Sequence, residues 1–389
     1  MNIHLIMIHN GENVGDKNQS LGIISALLEF KSDAMHMTHE EFSSKTQAME
    51  LLHGKMVTLL SEGIQLVLVS AGSSGLIVLH ALKQCYPSVK SLWSGHQVFK
   101  EIDLFEHALM PDLMAFPKHQ EPYIPEFLKA KTRLVLTDGV PHNVSDSTIA
   151  SDLKLCEERG IPLPMLAKKT AVIILPGDAP DVTGVDKLFT GKHAVLLADR
   201  IHACYSDYHF AVTNGPRTGK HLDPLAHRTG LVDSVTQAFS DRLAELSGRK
   251  PAIYDFQFSS LPSAYKPLLH AVKTGDDHIL LCPGESTSMV TETLGYLPRE
   301  KVVILEVPEV MNEAHYGHML EMIKMENVRT LNPSGLVCVT STKSSESKGE
   351  LAATQIAREY YKDLSAPALV LYPKSTHTAE DSAKIAAEL

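Results

Sequence analysis

The stretch HILLCPGESTSMVTET, residues 278–293, decides the fold class of this chain. The apolar run 278–281 predicts a buried strand, which leads through Gly284 into a helix that begins Ser-Thr-Ser at 286–288. A strand that turns at a glycine into a helix predicts a βαβ unit and a parallel sheet. The helix start offers backbone N–H groups, hydroxyls and a positive dipole end, which suit a phosphate or a sugar. The same residues also serve as an ordinary N-cap without a ligand.

Strands and helices alternate in this way through both halves of the chain. In the first half, apolar runs at 3–8, 65–70 and 133–137 are each followed by a helical pattern. The second half continues with runs at 171–175, 210–213, 278–282, 301–305 and 335–341. We predict an α/β protein of two Rossmann-like, doubly wound domains that face a cleft, because such sheets bind ligands outside their strand C-termini.

A chain of 389 residues exceeds the usual size of a single core, which favours two domains. The segment ERGIPLPMLAKK, with its glycine and two prolines, predicts a break in regular structure between the two series of strands. We therefore expect an N-terminal domain at 1–165 on the sugar or acceptor side and a nucleotide-binding domain at 166–330. A C-terminal extension at 331–389, with an apolar run at 368–372, is expected to pack back across the domains.

The composition is that of a soluble globular protein. The net charge of -10 gives no sign of a basic surface that would bind nucleic acid. No segment reaches the 18 apolar residues that would predict a transmembrane helix. The five cysteines form no C-x-x-C pair, and the histidines follow no zinc spacing, so we predict buried thiols and no metal. The N-terminus lacks a targeting pattern. We expect a cytoplasmic protein. A protein substrate or partner is left open, and so is a partner that recruits the protein to a mitochondrial or other membrane surface.

The loops of the first domain offer polar side chains and close backbone approach after two strands. The candidate ligand-binding residues there are Asn13, Gly15, Asn18, Gln19, Gly72, Ser73 and Ser74. Small residues such as those in SAGSSG let a diphosphate approach backbone amides. Helix capping and close packing of a helix on the sheet explain the same residues equally well.

Four residues are candidates for acid/base work. Asp138 directly follows the strand 133–137, and His142 lies four residues on. Asp16 and Asp178 stand in the glycine-containing loops after the first strand of each domain. Asp138 is the first choice among the four, although it also suits a turn.

The second domain carries the residues that suit a diphosphate. Arg217 and Lys220 follow a strand end, where Arg binds phosphate with a bidentate fork and Lys acts as a point charge. Glu285 or Glu292 suits a ribose diol. The candidate ligand-binding residues are Gly177, Asn214, Gly215, Arg217, Thr218, Lys220, Gly284, Glu285, Ser286, Thr287, Ser288, Met289 and Glu292. No G-x-S-x-G elbow, Walker A loop or kinase signature is present, which disfavours serine hydrolases, NTPases and kinases.

Several of these loops resemble motifs of the mitochondrial-fission family of the elongated-mitochondria type. They occur along this chain in the same order as in that family. The matching motifs are GDKNQSLGI (15–23), VSAGSSGL (69–76), FPKH (116–119), LTDGVPHNVS (136–145), AVIILPGD (171–178), TNGPRTG (213–219) and GESTSMVTET (284–293). The resemblance implies a GT-B glycosyltransferase-like fold in which the C-terminal domain holds a nucleotide without an obligatory metal.

The resemblance also assigns individual positions. The matches are Arg217 and Thr218 to the Arg-Thr loop, Ser286, Ser288 and Met289 to the Ser-x-Ser-Met helix start, Glu292 to the Glu that follows, Asn18 and Gln19 to the Asn-Gln pair, and His142 to the histidine after a proline. Glu285 stands where the family usually has Asp, and Asp138 where it usually has a small residue.

The sequence thus favours an enzyme that acts on the glycosidic bond of a nucleoside-diphosphate sugar, like a glycosyltransferase, and requires no cofactor. The extra acid Asp138 also suits a hydrolase of an ADP-ribose-type bond, with ADP-ribose as the ligand. A non-catalytic scaffold that recruits a membrane-fission partner is the alternative from a different class.

Overall fold

The computed structural model describes residues 2–9, 13–30, 36–42, 54–98, 100–180, 185–258, 262–326, 328–338 and 351–364. The chain forms two compact units. Unit 1 comprises Met1–Asn143 and Gly349–Leu389, and unit 2 comprises Val144–Lys348.

Unit 1 is built on a six-stranded sheet whose neighbouring strands all pair in parallel. The strands are β1 (Asn2–Ile8), β2 (His36–Phe42), β3 (Gln65–Ala71), β4 (Lys90–Ser94), β5 (Leu113–Pro117) and β6 (Arg133–Thr137). The helices are α1 (Val14–Glu29), α2 (54–61), α3 (Gly72–Cys85) and α4 (Glu126–Lys131), with 3₁₀ turns at Lys100–Phe105 and Lys118–Tyr123. The spatial order β2-β1-β3-β4-β5-β6 reverses between β1 and β3, as in a doubly wound sheet.

Unit 2 is built on a seven-stranded sheet that is parallel except for its last strand. The larger elements are α5 (Asp146–Glu158), β7 (Thr170–Ile174), α6 (Gly191–Tyr205), β10 (His209–Thr213), α8 (Ser234–Ser247), β11 (Ala252–Tyr254), α9 (Tyr265–Thr274), β12 (Ile279–Pro283), α10 (Thr287–Tyr296), β13 (Val302–Leu305), α11 (Glu313–Glu326), β14 (Arg329–Asn332) and β15 (Gly335–Cys338). The smaller ones are β8 (Ala179–Pro180), β9 (Asp186–Lys187), α7 (Ala226–Thr229) and a 3₁₀ turn at Arg299–Lys301. The spatial order β11-β10-β7-β12-β13-β14-β15 reverses between β7 and β12.

Helices cover both faces of the second sheet, because alternate residues of β7 enter different apolar clusters. Ala171 and Ile173 pack with residues of α6 and α8. Val172 and Ile174 pack with residues of α9 and α10. Burial on both faces explains the continuous apolar runs of these strands. The predicted fold class, α/β with two Rossmann-like doubly wound domains, is confirmed.

The chain divides after Asn143 rather than near residue 165. The reason is α5, which packs against α9 of unit 2. Ile149 of α5 is buried in the same apolar cluster as Leu268. Lys273 of α9 also pairs with Asp146, at an Nζ–Oδ1 distance of 2.8 Å.

The C-terminal part of the chain returns to unit 1 as α12 (Ala352–Leu364), which packs against α1. Ile356 and Tyr360 join the core of unit 1, and Glu359 pairs with Arg133. The strand predicted at 368–372 lies outside the described residues.

Four cysteines carry free thiols: Cys85, Cys156 and Cys282 are buried, and Cys204 is partly buried. Within the described ranges, no helix combines the length and the apolar character needed to cross a bilayer.

Candidate functional site

Each sheet has one point where its strand order reverses, and loops that follow strands at such a point are the usual binding region of an open α/β sheet. In unit 2 the point lies between β7 and β12, and the loops after these strands contain Gly177 and Glu285. In unit 1 it lies between β1 and β3, which are followed by α1 and α3. Most of the residues predicted from sequence lie in these four loops and helix starts.

Three loops of unit 2 meet at the first of these points. The backbone N–H of Gly177 donates to Oε1 of Glu285 over 2.9 Å. A Cβ built on Gly177 would lie 2.7 Å from Cβ of Arg217, so only glycine permits this approach. A Cβ built on Gly215 would lie 3.8 Å from Cε of Met289. The structure therefore brings together the predicted residues of the β7, β10 and β12 loops.

Thr218 fixes the shape of the loop after β10. Its hydroxyl donates to the carbonyl of Pro176 over 3.1 Å and accepts from the N–H of Gly215 over 3.2 Å. The hydroxyl is buried and used within the protein. Thr218 thus orders the loop that carries Arg217 instead of offering a free donor.

The start of α10 has the features of an anion site. Its N-cap residue, Ser286, makes no side-chain capping bond, whereas α5, α6 and α8 are capped by Ser145, Thr190 and Asp233. The backbone N–H groups of residues 287–289 donate no hydrogen bond to any described residue. Such first-turn amides, at the positive end of the helix dipole, bind anions.

Two cations lie on the neighbouring loop. The guanidinium of Arg217 and the ammonium of Lys220 form no ion pair or hydrogen bond with any described residue. Arg217 is partly buried and Lys220 is exposed. The Arg217 charge acts on the nearby Glu285 carboxylate, but no hydrogen bond to a described residue occupies the guanidinium N–H groups, so they are available for a phosphoryl group.

The two predicted ribose residues occupy different places. Glu285 is 3% exposed, and its second oxygen, Oε2, makes no hydrogen bond within the described part of the chain. Burial raises the pKa of Glu285, and the charge of Arg217 partly offsets this rise. Glu292 is equally buried but lies beside Tyr265, where burial and the Glu292 carboxylate together raise the pKa of Tyr265.

Asn214 is part of an internal hydrogen-bonded hub. Its amide nitrogen donates to Asp233 over 2.9 Å and to Asp255 over 2.7 Å, and its oxygen accepts from the N–H of Phe256 over 2.7 Å. All three polar bonds link loops that follow β10 and β11. The structure therefore places Asn214 as a loop anchor.

A possible set of metal ligands lies beside this anchor. Ligand atoms of His227, Asp233 and Asp255 fall within 4.8 Å of one another. Both ring nitrogens of His227 already bond to backbone carbonyls, of Phe256 at 3.0 Å and of Thr218 at 2.9 Å. Because the donor atoms serve the loop framework, we assign no metal to them.

Asn214→Ala is expected to lower the free energy of unfolding by about 3 kcal/mol, because it removes the bonds to Asp233, Asp255 and Phe256 and leaves the N–H of Phe256 without its acceptor. Chemical denaturation followed by circular dichroism measures the change. Gln237→Ala, which removes one exposed bond to Asp241, is the control and should change stability by less than about 0.5 kcal/mol. Equal effects of the two variants would refute the anchor role.

In unit 1, Asp16 lies at the meeting of α1 and α3. Its carboxylate accepts from Nδ2 of Asn13 over 2.6 Å, and a Cβ built on Gly72 would lie 2.0 Å from its Oδ2. Gly72 has a φ of +72°, which favours glycine. Asp16 is 5% exposed, and burial raises its pKa to about 7. A carboxyl group with such a pKa exchanges protons near neutral pH.

The other predicted residues of the first two loops divide between packing and surface. Gln19 is buried and accepts from the hydroxyl of Ser94 over 3.2 Å. Ser73 and Ser74 are exposed in the first turn of α3, whose start has no side-chain cap. Gly15 and Asn18 lie in the first turns of α1 and are partly buried, while residues 10–12 of the preceding loop lie outside the described ranges.

Asp138 and His142 are less suited to proton transfer than Asp16. Asp138 forms an ion pair with Lys118, and Nε2 of Gln355 donates to it over 3.5 Å. Burial lowers the pKa of His142 to about 4, so its ring is neutral at pH 7 and a weak base. The ion pair of Asp138 and the lowered pKa of His142 make Asp16 the preferred candidate for an acid/base group.

Asp178, the fourth predicted acid, is buried and joins two loops. Its carboxylate accepts from the N–H of Phe189 over 2.9 Å, from the N–H of His221 over 3.2 Å and from the His221 ring. Sequence reasoning missed His221 as a site residue, because the partner that orients it lies 43 residues earlier.

Gly22 of α1 holds His142 in place through close backbone contact. A Cβ built on Gly22 would lie 2.4 Å from the carbonyl oxygen of His142. Gly22→Ala is therefore expected to destabilise the protein by about 2 kcal/mol, measured by denaturant unfolding. Gly54→Ala, where a Cβ meets nothing within 4 Å, is the control and should not destabilise. An unchanged midpoint for Gly22→Ala would contradict this packing.

Several solved structures are similar to this chain, while no protein-family model and no curated protein matches it. A trehalose-6-phosphate synthase is 11% identical, with 99% of this chain and 94% of that chain covered and a TM-score of 0.47. A ugt transferase from Siraitia grosvenorii in complex with UDP is 9% identical, with 99% and 94% covered and a TM-score of 0.47. A UDP-glucosyltransferase from Polygonum tinctorium is 9% identical, with 100% and 92% covered and a TM-score of 0.44.

These similarities concern the fold alone. The comparisons give no support to the resemblance to the mitochondrial-fission family, which stays a prediction. A functional proposal for this chain therefore depends on its own residues.

Proposed function

We propose that the chain is an enzyme that binds a nucleoside-diphosphate sugar and transfers the sugar to an acceptor. The binding site would lie in unit 2, where the strand order of the sheet reverses between β7 and β12. The observation that carries the proposal is the start of α10 beside the Arg217 loop. The amides of residues 287–289 and the guanidinium of Arg217, which make no hydrogen bond to the described part of the chain, lie on adjacent loops, and both groups bind phosphoryl oxygens.

The nucleoside would be held by Glu285 rather than Glu292. Glu285 lies in the same group of loops and has one carboxylate oxygen without a hydrogen bond among the described residues. A buried acceptor of this kind gains from a hydroxyl donor such as a ribose diol. Glu292 is the weaker candidate because its carboxylate lies beside Tyr265.

Among the four candidate acids, Asp16 has the chemistry that best suits the proton-transfer role. In the proposed step the acceptor hydroxyl loses its proton to a carboxylate, and its oxygen bonds to the anomeric carbon. The bond from that carbon to the diphosphate breaks, and its electron pair stays on the leaving phosphate. A pKa of about 7 leaves a substantial fraction of Asp16 ionised and ready to accept a proton at neutral pH.

The ADP-ribose hydrolase alternative loses its main support. It rested on Asp138 as an additional free acid, whereas Asp138 is paired with Lys118. Water in place of the sugar acceptor remains chemically equivalent in the step above, so the two reactions differ only in the product formed.

Thermal-shift measurements with UDP, GDP, ADP, their common sugar conjugates and ADP-ribose test the binding proposal. A ligand at 100 times its dissociation constant adds about 2.7 kcal/mol of apparent stability. We expect a shift with one nucleoside diphosphate and a larger one with its sugar conjugate. Absence of any shift would refute the proposal and leave the scaffold alternative in front. Release of the diphosphate only when an acceptor is added identifies a transferase, and release in water alone identifies a hydrolase.

A further inference from the structure

Asp178 and His221 form a carboxylate–imidazole pair beside the proposed phosphate site. Nδ1 of His221 lies 2.9 and 3.0 Å from the two carboxylate oxygens of Asp178. Asp178 is 6% exposed, and the N–H of Phe189 holds one of its oxygens at 2.9 Å. The carboxylate is therefore fixed, and it fixes the plane of the imidazole.

The pair leaves one ring nitrogen for other use. A carboxylate oxygen only accepts, so Nδ1 carries the hydrogen in this contact. The opposite nitrogen, Nε2, makes no hydrogen bond to any described residue, and the His221 side chain keeps 14% of its surface exposed. A ring that carries a hydrogen on each nitrogen donates through Nε2–H while Asp178 accepts from Nδ1–H.

The pair belongs to the same group of loops as the phosphate-binding residues. His221 follows Arg217 by four positions, and the backbone N–H of Asp178 donates to the carbonyl of Arg217 over 3.1 Å. Asp178 also follows Gly177, whose N–H reaches Glu285.

We propose that His221 binds a phosphoryl oxygen of the diphosphate through Nε2–H, with Asp178 as the positioning residue. The inference rests on the proposed function and adds to it a third phosphate contact, after Arg217 and the start of α10. A pair that only cross-links loops would affect every ligand of unit 2 alike. A phosphate contact affects only ligands that carry phosphate.

Isothermal titration of the full chain with uridine, guanosine, adenosine and their diphosphates separates these cases. For His221→Gln we expect roughly 10- to 100-fold weaker binding of the diphosphate that the wild type prefers, with unchanged binding of its nucleoside. Asp178→Asn keeps an acceptor for Nδ1–H without the charge, and should weaken diphosphate binding roughly 3- to 10-fold. His209→Gln at the start of β10 is the control and should change neither affinity.

The possible outcomes are distinct. Unchanged diphosphate binding by His221→Gln, in a protein whose wild type binds diphosphate, overturns the inference and leaves the proposed function standing. Equal losses for nucleoside and diphosphate also overturn it, since they indicate a structural role. A wild type that binds no diphosphate refutes both.

Discussion

Asp16→Asn is expected to lower turnover of the preferred nucleotide sugar by about 10²- to 10⁴-fold, with nucleotide affinity unchanged. Asparagine keeps the size of the side chain and an oxygen for Asn13, but it cannot accept the proton of an acceptor hydroxyl. Steady-state release of diphosphate and calorimetric binding measure the two quantities. Asp138→Asn is the comparison, and its smaller expected loss follows from the ion pair with Lys118. A larger loss for Asp138→Asn than for Asp16→Asn would show that the proton-transfer role is assigned to the wrong residue.

The same variant should make the folded protein more stable. Burial raises the pKa of Asp16 from the ordinary 3.8 to about 7, so ionisation of this carboxyl destabilises the folded state. The loss of unfolding free energy caused by this ionisation is absent below pH 3.8, grows between pH 3.8 and 7 and is complete above pH 7. At 1.36 kcal/mol per pH unit it reaches about 4 kcal/mol. The difference in unfolding free energy between Asp16→Asn and wild type should therefore rise with pH over this range. A difference independent of pH would contradict the burial argument.

Arg217→Ala is expected to weaken nucleoside-diphosphate binding by about 10- to 150-fold, because a charged hydrogen-bonding group is lost. Nucleoside binding should be unaffected, since the guanidinium is assigned to phosphate alone. The variant should fold normally, because the Arg217 side chain bonds to no described residue. Titration calorimetry measures both affinities.

The matched control is Arg249→Ala, which removes an exposed arginine near His209 at the opposite end of β10. It keeps the overall change in charge and should leave diphosphate affinity unchanged. If both variants weaken binding equally, the effect arises from net charge and the local assignment to Arg217 fails.

The continuous apolar strands could be predicted from sequence because burial on both faces gives an uninterrupted apolar run. β1, β3, β7, β12 and β13 are of this kind and were located within one or two residues. β2 was missed because His36–Phe42 is a polar edge strand with exposed side chains. β4 and β5 were missed because polar residues interrupt KSLWS and neither strand contains a β-branched residue.

The candidate site could be predicted in position but only partly in role. Loops after parallel strands gather at one sheet edge, which identified Gly177, Arg217 and Glu285 together. Some polar side chains form hydrogen bonds within the protein and are not available to a ligand. Which side chains these are depends on contacts between segments that are distant in sequence. Asn214 reaches Asp255 across 41 residues. Asp138 meets Gln355 across 217 residues, a contact that no local pattern encodes.

The central claim is that the start of α10 and Arg217 hold a diphosphate. A crystal structure with the nucleoside diphosphate that gives the largest thermal shift tests it most directly. We predict phosphoryl oxygens at about 2.7–3.2 Å from the backbone nitrogens of residues 287–289 and from the Arg217 guanidinium. A nucleotide bound elsewhere, with the α10 amides facing solvent, would contradict the account.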